Sequence, residues 1–401
     1  MKKSTTKSPN LVRIGVIGVG NMGSSHVRTF ESGAIPRAKV TAICDIDSRK
    51  MEKFSGDYKK FTDSRALIRS GEVDAVIIAT PHYFHTTIGV DSLDNGLHTL
   101  TEKPISVHKA DAQKLVDAHK RNPKAVFAAM FNQRTNPQYA KIRELISSGE
   151  LGDVIRINWI ITDWFRTQYY YDCGDWRATW GGEGGGVLMN QCPHQLDLFQ
   201  WLFGMPQQVR AFCDIGKFHK IEVEDNVTTY MKFASGATGV FITTTGEAPG
   251  TNRLEIAGNR GRVVLDGTDG DIQWLRNAEP LDDFRANKQD MWAKPETWTV
   301  TIPSKGNGEQ HKGILKNYVD AILDGTPLIA PASEGLNAVE LCNAMLYSSF
   351  TGKTVDLPLD GAAYERHLKK LIKNSTFKKN ASHDLAGQEV DMGASSTAFK
   401  K

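Results

Sequence analysis

The first third of the chain alternates short apolar, β-branched runs with segments of helical period. The apolar runs occupy 12–18, 39–45, 74–80, 98–102 and 125–130, and the helical segments begin near Met22, Asp63, Phe84, Val107 and Pro137. Strands separated by helices are typical of a parallel sheet covered by helices through right-handed crossovers. We therefore predict an α/β domain with a parallel sheet at the N-terminus.

After Gly152 the pattern changes to longer runs in which apolar and polar residues alternate. These runs occupy 154–162, 226–233, 238–245, 253–257 and 262–266, and helical periodicity returns at 313–323 and 334–349. Alternation of period two is typical of antiparallel strands. We predict a C-terminal α+β domain with a large, mainly antiparallel open sheet. If one face is left uncovered by helices, it needs burial against another subunit, so a homodimer or homotetramer is expected.

Composition agrees with two folded domains. The length of 401 residues exceeds what one core usually supports, and the 40% hydrophobic and 24% charged fractions are ordinary for a globular protein. The 49 basic and 46 acidic residues are dispersed, so no charged field favours nucleic acid. No signal-peptide core is visible, and no stretch approaches the ~20 apolar residues of a membrane span. The five scattered cysteines indicate reduced thiols, and we expect a cytoplasmic location without nucleic-acid or membrane partners.

The first strand runs directly into Gly18-Val19-Gly20-Asn21-Met22-Gly23. This G-x-G-x-x-G pattern between a strand and a helix predicts a Rossmann dinucleotide-binding domain. Its first glycine permits the turn, its second lets the pyrophosphate approach, and its third lets helix and strand pack closely. Asp45 ends the second strand, where an acidic residue binds the adenosine ribose. A 2′-phosphate ~4 Å away would be repelled by about 4 kcal/mol per charge at an effective dielectric of about 20, which favours NAD. NADP stays an alternative cofactor, because the positive charges of Arg49 and Lys50 offset part of this repulsion.

Polar residues follow the next two parallel strands, in Thr80-Pro81-His82 with His85 and in Glu102-Lys103-Pro104. Ligands of open α/β sheets bind beyond the carboxyl ends of the strands, so Lys103 is expected to point toward the nicotinamide. Taken alone, a Glu-Lys-Pro sequence is usually a polar turn. His26, His82 and His85 share no recognisable ligand spacing with a carboxylate or cysteine, so no metal is expected.

A second glycine-rich run, 180–186, precedes a segment with helical spacing. That spacing places Asn190, His194 and Asp197 on one helix face, and Pro193 is expected to disturb the helix. A lone helical histidine is most often structural, yet a histidine with a pKa of about 6.5 also suits a general base.

The glycine fingerprint, Glu102-Lys103-Pro104 and the segment 184–197, in this order, resemble the Gfo/Idh/MocA oxidoreductases over roughly 11–357. The resemblance implies a Rossmann domain paired with an open sheet, NAD or NADP as cofactor, and a sugar or cyclitol as substrate. It also implies that Lys103 is the catalytic lysine and His194 the catalytic histidine. The family usually has aspartate where this chain has Asn190 and glycine where it has Cys192. Since an amide cannot act as a base, Asn190 would orient a substrate hydroxyl while proton transfer rests on His194 or Lys103.

The expected site comprises three sets of residues. The catalytic residues are Lys103, His194 and Asn190. The cofactor-binding residues are Gly18, Gly20, Asn21, Met22, Gly23, Asp45, Ile46, Arg49, Thr80, Pro81, His82, His85, Glu102, Lys103, Asn132 and Arg134. The substrate-binding residues are Lys103, Trp164, Arg166, Tyr170, Trp176, Arg177, Asn190 and His194. For the aromatic and arginine-rich segment 164–177, an interdomain packing loop is an equal alternative.

The expected organisation is a flexible N-terminus (1–10), a Rossmann NAD-binding domain (11–131), an α+β substrate-binding and oligomerisation domain (132–373) and a mobile tail (374–401). The expected function is NAD-dependent hydride transfer between nicotinamide and a secondary hydroxyl or ketone of a sugar, anhydrosugar or cyclitol. Two alternatives remain open. One is an NAD-dependent glycosidase that works by transient oxidation, and the other is a non-catalytic dinucleotide-binding sensor.

Overall fold

The computed structural model describes residues 11–268 and 270–379. Within them the chain forms two compact units. The first comprises 11–132 and 311–336, and the second comprises 133–310 and 337–379. The flexible N-terminus expected at 1–10, and the expected mobile tail from residue 380 onward, lie outside the described residues.

The first unit is built on a six-stranded sheet in which every strand pair is parallel, in the order β3-β2-β1-β4-β5-β6. Its strands are β1 (Val12–Ile17), β2 (Ala38–Cys44), β3 (Lys59–Phe61), β4 (Ala75–Ile78), β5 (His98–Thr101) and β6 (Phe127–Ala129). The helices between them are α1 (Asn21–Glu31), α2 (Ser64–Ile68), α3 (His82–Asp94) and α4 (Lys109–Arg121). The predicted Rossmann architecture is confirmed. Only β3, a short strand with two exposed lysines, was not predicted.

The strand order reverses between β1 and β4, which are neighbours in the sheet although two strands separate them in sequence. The backbone continues the ladder at this point, since the amide of Ala79 donates to the carbonyl of Ile17 at 2.8 Å and that of Gly18 to Cys44 at 2.8 Å. A crevice for ligands opens where the order of such a sheet reverses. The glycine turn after β1 therefore lies where the fold can bind a nucleotide.

The second unit contains a nine-stranded sheet in the order β14-β13-β12-β11-β7-β10-β9-β8-β15. Its strands are β7 (Val154–Ile161), β8 (Gln208–Ile215), β9 (Glu224–Lys232), β10 (Thr238–Thr244), β11 (Asn252–Gly258), β12 (Gly261–Asp266), β13 (Ile272–Asn277), β14 (Thr297–Ile302) and β15 (Val355–Asp356). Every pair is antiparallel except β7 with β10. The predicted mainly antiparallel sheet is confirmed, while β8, β13, β14 and β15 were not predicted.

The second half of the chain adds seven helices within the described residues. They are α5 (Pro137–Ser147), α6 (Gln168–Asp172), α7 (Pro193–Phe203), α8 (Leu281–Asn287), α9 (Gln310–Asp324), α10 (Gly335–Thr351) and α11 (Gly361–Asn374). Helix α7 covers part of one face of the nine-stranded sheet, where Phe199 of α7 packs edge-on against Phe241 of β10 with ring centroids 6.3 Å apart. Nowhere in 11–268 or 270–379 is a helix both long enough and apolar enough to traverse a lipid bilayer.

Helix α9 packs with the first unit, although the sequence analysis placed 132–373 in one C-terminal domain. Tyr318 of α9 is fully buried and its hydroxyl donates to the carbonyl of Val76 in β4 at 3.4 Å. Arg37 binds Asp320 at 2.9 Å and also pairs with Asp324. The chain thus returns to the first unit late in the sequence, where Tyr318 of α9 packs against the parallel sheet.

Candidate functional site

The glycine turn has the geometry that its sequence predicts. Gly18 has φ +88°, and a Cβ there would lie 2.6 Å from the carbonyl oxygen of Ala79. A Cβ on Gly23 would lie 1.8 Å from the carbonyl oxygen of Gly18. A Cβ on Gly20 would meet no atom within 4 Å. Gly18 and Gly23 are therefore required by the fold itself, whereas Gly20 leaves open space at the start of α1. There, the first-turn amides, which include those of Asn21 and Met22, can face a phosphate.

Asp45 connects the end of β2 to this turn. Its carboxylate accepts from the amide of Val19 at 2.9 Å and from that of Asp47 at 3.0 Å, and Lys50 lies 3.7 Å away. Arg49 instead pairs with Asp47 at 2.8 Å. Ile46, next to Asp45, is 91% exposed. A carboxylate and an apolar side chain thus flank the open space beside the turn, an arrangement that fits the adenosine half of NAD.

Lys103 follows β5, and Thr80-Pro81-His82 follows the neighbouring strand β4, so both lie at the carboxyl edge of the sheet. His85 links these two strand ends, because its Nε2 lies 2.7 Å from the carbonyl oxygen of Thr80 and its Nδ1 lies 2.8 Å from that of Pro104. Burial lowers the pKa of His85, although both carbonyls favour the charged ring. The side chain of His85 therefore supports the turn that carries Lys103.

Glu102 is buried beside Lys103 and binds His26 at 2.8 Å. Burial opposes charge on this carboxyl. The hydrogen bond and charge of His26, with further positive charge from His311 and Lys103, nevertheless lower its pKa to about 2. Burial lowers the pKa of His311 to about 4. Glu102 is consequently a carboxylate at neutral pH. Among the described residues, no three His, Cys, Asp or Glu side chains are grouped to hold a metal ion.

In the second unit, His194 and Asn190 do not share a helix. Helix α7 begins at Pro193, so His194 lies in its first turn and Asn190 lies in the turn before it. The predicted single helix face for Asn190, His194 and Asp197 is wrong for Asn190. The disturbance expected at Pro193 is confirmed, because the helix does not extend before this residue. Proline takes the first helical position, where no backbone donor is needed. Cys192 is buried, with its Sγ 3.0 Å from the hydroxyl of Thr243.

The residues expected to bind substrate form a stack of alternating arginine and aromatic side chains. The guanidinium carbon of Arg166 lies 5.5 Å from the ring centroid of Trp164 and 5.2 Å from that of Tyr170. The guanidinium carbon of Arg177 lies 4.7 Å from the ring centroids of both Tyr170 and Trp176. Arg177 also donates to the hydroxyl of Tyr170 at 2.8 Å. The structure thus brings five of the predicted residues into one cluster, which we call the Arg-aromatic stack.

Two residues predicted to bind cofactor lie where the chain passes from the first unit into the second. Asn132 is buried. Arg134 forms a buried ion pair with Asp197 and lies over the ring of Trp201, with 5.3 Å between the guanidinium carbon and the ring centroid. The carboxylate of Asp197 therefore balances the positive charge of Arg134 within the protein.

Sequence reasoning missed two buried carboxylates that hold the glycine-rich turn before α7. Glu183 accepts from the amide of Ala178 at 2.7 Å and from the side-chain amide of Asn190. Glu224 accepts from the amides of Gly186 at 2.8 Å and Leu188 at 3.0 Å, and burial raises its pKa to about 7. The available signals were a glutamate inside a run of glycines and an acidic residue at the start of an alternating strand.

Comparison with known proteins matches this chain to two family models. Residues 12–130 match the oxidoreductase family with an NAD-binding Rossmann fold, and residues 139–264 match the GFO/IDH/MocA C-terminal domain. The chain is 24% identical to levoglucosan dehydrogenase of Pseudarthrobacter phenanthrenivorans over 395 residues, which covers 86% of this chain and 98% of that protein. It is 26% identical to myo-inositol 2-dehydrogenase of Thermotoga maritima over 269 residues, covering 64% of this chain and 75% of that protein.

A solved structure agrees with these matches. The WlbA dehydrogenase from Chromobacterium violaceum, in complex with NADH and UDP-GlcNAcA, superposes with a TM-score of 0.75 at 27% identity, covering 89% of this chain and all of that one. Both family models match in the order in which the two sheets occur along the chain. This protein belongs to the Gfo/Idh/MocA family of oxidoreductases, and its N-terminal domain is an NAD-binding Rossmann fold.

Proposed function

We propose that the protein is an NAD-dependent dehydrogenase that acts on a secondary hydroxyl or ketone of a sugar, anhydrosugar or cyclitol. The observation that carries the proposal lies within the first unit. The glycine turn, Thr80 and Lys103 follow β1, β4 and β5, which are adjacent in one parallel sheet. A nucleotide-binding turn and a lysine thus occupy the same edge of the sheet. The names of the levoglucosan and myo-inositol dehydrogenases support the substrate class.

We assign the contacts with NAD, which when bound supplies the hydride acceptor, mainly to residues of the first unit. The open space at Gly20 admits the pyrophosphate, and the carboxylate of Asp45 binds the adenosine ribose beside Ile46. Residues around the carboxyl ends of β4 and β5 surround the nicotinamide half. We assign this role to Thr80, Pro81, His82, His85 and Glu102, and keep Arg49, Asn132 and Arg134 as further proposed contacts.

Three side chains perform the chemistry on the substrate. Oxidation of a secondary alcohol requires a base for the hydroxyl proton and a positive charge that stabilises the developing alkoxide. We assign the base to His194, because a histidine accepts a proton near neutral pH. Lys103 supplies the positive charge, and Asn190 orients the hydroxyl through its amide.

The Arg-aromatic stack suits the remainder of a polyol. The faces of Trp164, Tyr170 and Trp176 offer apolar area to the C–H groups of a sugar ring, while Arg166 and Arg177 supply hydrogen-bond donors. Gln191 adds an amide that donates to the hydroxyl of Tyr170 at 3.1 Å. The stack therefore extends toward the turn that holds Asn190.

The proposal is tested by following NAD and NADP reduction spectrophotometrically with a panel of inositols, aldoses, anhydrosugars and glycosides. We expect one polyol class to reduce NAD, and we expect Lys103→Ala and His194→Ala each to lower kcat by about 10²–10⁴-fold. Lys114→Ala, which removes a 63% exposed lysine of α4, is the matched control. Unchanged turnover in Lys103→Ala or in His194→Ala would remove that residue from the mechanism.

The same assay separates the two alternative functions. A glycosidase that oxidises its sugar transiently would cleave a glycoside without net reduction of NAD. A sensor would bind NAD tightly and turn over none of the panel. Retention of Lys103 and His194 favours catalysis over the sensor, because a pure binding domain needs no ionisable pair for proton transfer.

The second sheet supports a homodimer or homotetramer. Phe212 of β8 and Tyr230 of β9 lie on the face opposite the buried one, and they are 61% and 41% exposed. Light scattering of the purified protein is expected to give a dimer or tetramer, and Phe212→Glu with Tyr230→Glu is expected to shift it toward monomer. Trp292→Glu removes an aromatic side chain that lies outside the sheet and is more exposed than either, at 84%, and is the control. A cytoplasmic location stays a prediction, to be checked by cell fractionation.

A further inference from the structure

The turn before α7 brings a buried carboxylate against the one amide that we place at the reacting hydroxyl. Glu183 is 1% exposed, and its Oε1 accepts a hydrogen bond from Nδ2 of Asn190. Its other oxygen, Oε2, accepts from the amide of Ala178 at 2.7 Å. Both carboxylate oxygens are thus engaged within a turn of the second unit, and one of them holds Asn190.

The backbone around Glu183 is arranged to keep this carboxylate in place. Ala178 has φ +54°, a left-handed conformation that L residues rarely adopt. Its amide nevertheless donates to the carboxylate, while the amide of Glu183 itself donates to the carbonyl of Thr179 at 2.9 Å. A strained backbone position that persists beside a specific hydrogen bond often belongs to a functional site. The turn therefore holds the carboxylate at a fixed distance from Asn190.

The charges that face Glu183 come from three other segments. Burial raises the pKa of the Glu183 carboxyl, and the positive charge of Arg177, the amide of Ala178, the amide of Asn190 and the charge of Lys379 oppose that rise. Lys379 donates to the carbonyl of Arg177 at 2.8 Å. The negative charge of Glu183 in turn contributes to the raised pKa of Glu224. Two cations therefore oppose the rise that burial produces in the pKa of this carboxyl.

A carboxylate next to an amide determines which end of the amide faces outward. An ionised carboxylate only accepts hydrogen bonds, so it attracts Nδ2 of Asn190 and repels Oδ1. With Nδ2 directed at Glu183, Oδ1 is turned away from the buried carboxylate. Removal of the negative charge at position 183 therefore weakens the preference of the Asn190 amide for this orientation.

We propose that Glu183 is a positioning residue that orients the Asn190 amide, so that its oxygen accepts a hydrogen bond from the hydroxyl of the substrate. This inference rests on the proposed function, because it assumes that Asn190 binds the reacting hydroxyl. An oxygen in this position accepts from an alcohol O–H and so fixes the direction of that bond. Glu183 itself does not touch the substrate.

The test exchanges the carboxylate and the amide between the two positions. Glu183→Gln keeps the size of the side chain but lets the amide of Asn190 point either way, and we expect kcat/KM to fall about tenfold, the size of one net hydrogen bond. Asn190→Asp places two carboxylates in contact and is expected to lose at least as much. The double variant again pairs one amide with one carboxylate, so its kcat/KM is expected to exceed that of either single variant.

This recovery is a result that a merely structural role would not give. Glu222→Gln is the matched control, because Glu222 also binds this turn, accepting a hydrogen bond from the amide of Trp180 at 2.9 Å. Thermal unfolding and the Kd for NAD, measured on each variant, are expected to stay near those of the unmodified protein. A double variant no better than the worse single variant would overturn the proposal, as would full kcat/KM in Glu183→Gln.

A second measurement applies if the variants at Glu183 fold poorly. Asn190→Asp alone is expected to regain activity as the pH falls, because protonation of one carboxyl restores a hydrogen bond between the pair. An unchanged pH profile in Asn190→Asp would overturn the inference. Failure of the proposed function is distinguishable, because the unmodified protein would then give no net reduction of NAD with the panel. Failure of this inference alone leaves that activity dependent on Lys103 and leaves Glu183→Gln fully active.

Discussion

Arg134 and Asp197 form a bidentate ion pair inside the second unit, with Nε to Oδ2 at 2.7 Å and Nη2 to Oδ1 at 2.6 Å. Both side chains are 1% exposed. Gln200 adds a hydrogen bond to Asp197 at 3.1 Å. Because Asp197 and His194 lie one turn apart on α7, the pair fixes the helix that carries the proposed base.

Removal of one partner of this pair is expected to destabilise the protein strongly. Asp197→Ala leaves the buried guanidinium of Arg134 without its carboxylate, which typically costs about 3–5 kcal/mol. Urea unfolding measures the loss. Asp94→Ala is the control, because Asp94 pairs with Arg121 at the surface, where such pairs contribute about 1 kcal/mol or less. A loss in Asp197→Ala as small as in Asp94→Ala would show that the buried pair adds little to stability.

Gly20→Ala is expected to weaken NAD binding, whereas Gly23→Ala is expected to lower the stability of the fold. A methyl group at Gly20 meets no atom within 4 Å in the protein, so the fold should persist while NAD binding weakens, because the methyl occupies the space for the pyrophosphate. A methyl at Gly23 would lie 1.8 Å from the carbonyl oxygen of Gly18, so α1 must move and stability falls. The checks are calorimetric titration with NAD and thermal unfolding without it. Equal loss of stability in both variants would contradict this division.

Asp45→Asn is expected to reduce the preference for NAD over NADP. The amide keeps one oxygen for the amide of Val19, at the cost of the hydrogen bond from the amide of Asp47, and the negative charge that repels a 2′-phosphate is removed. We expect the ratio of kcat/KM for NAD to that for NADP to fall at least tenfold. Glu52→Gln removes a negative charge from an exposed residue shortly after Asp45 in the chain. It controls for the change in overall charge near the cofactor site. A cofactor ratio that moves equally in both variants would rule out a specific role for Asp45.

The sequence predicted the elements whose residues repeat with a clear period. Five of the six strands of the parallel sheet and five of the nine strands of the second sheet were recognised, because buried positions recur along each of them. The strand β3 escaped recognition because it has three residues, two of them exposed lysines, and pairs along only one edge. The start of α7 was misplaced because the apolar positions 188 and 192 continue the helical spacing into a turn. Pro193 was expected to interrupt this longer helix, and the helix begins only at that residue.

The candidate site was predictable where its residues are contiguous, as in the glycine turn and the Glu102-Lys103-Pro104 sequence. Partners that are distant along the chain were not predictable. Asp197 lies 63 residues from Arg134, and Glu224 lies 38 residues from Gly186, whose amide it binds. Periodicity shows which face of an element is buried, but it does not show which element covers that face. The roles of Arg134 and of the two buried glutamates therefore required the structure.

His219 connects the Arg-aromatic stack to a buried carboxylate. Its Nδ1 lies 3.0 Å from Asp225, and its Nε2 lies 2.9 Å from the carbonyl oxygen of Arg166. Asp225 is fully buried and also accepts from the amides of Lys217 and Phe218. Since both ring nitrogens face acceptors, only the protonated ring can donate to both.

This arrangement predicts a stability contribution that depends on pH. Burial lowers the pKa of His219, but the hydrogen bonds to Asp225 and to the carbonyl of Arg166, with the charge of Asp225, outweigh burial and raise it. A pKa raised by folding stabilises the protein fully below the unfolded value of about 6.5, and this contribution is lost as the pH rises through the higher folded value. The free energy of unfolding is therefore expected to fall above about pH 6.5, and His219→Gln is expected to flatten that part of the profile. His119→Gln, at a ring bound to the carbonyl of Ala125, is the control and should keep the fall. A profile that is the same in His219→Gln and in the unmodified protein would mean that the imidazolium contributes nothing to holding Arg166.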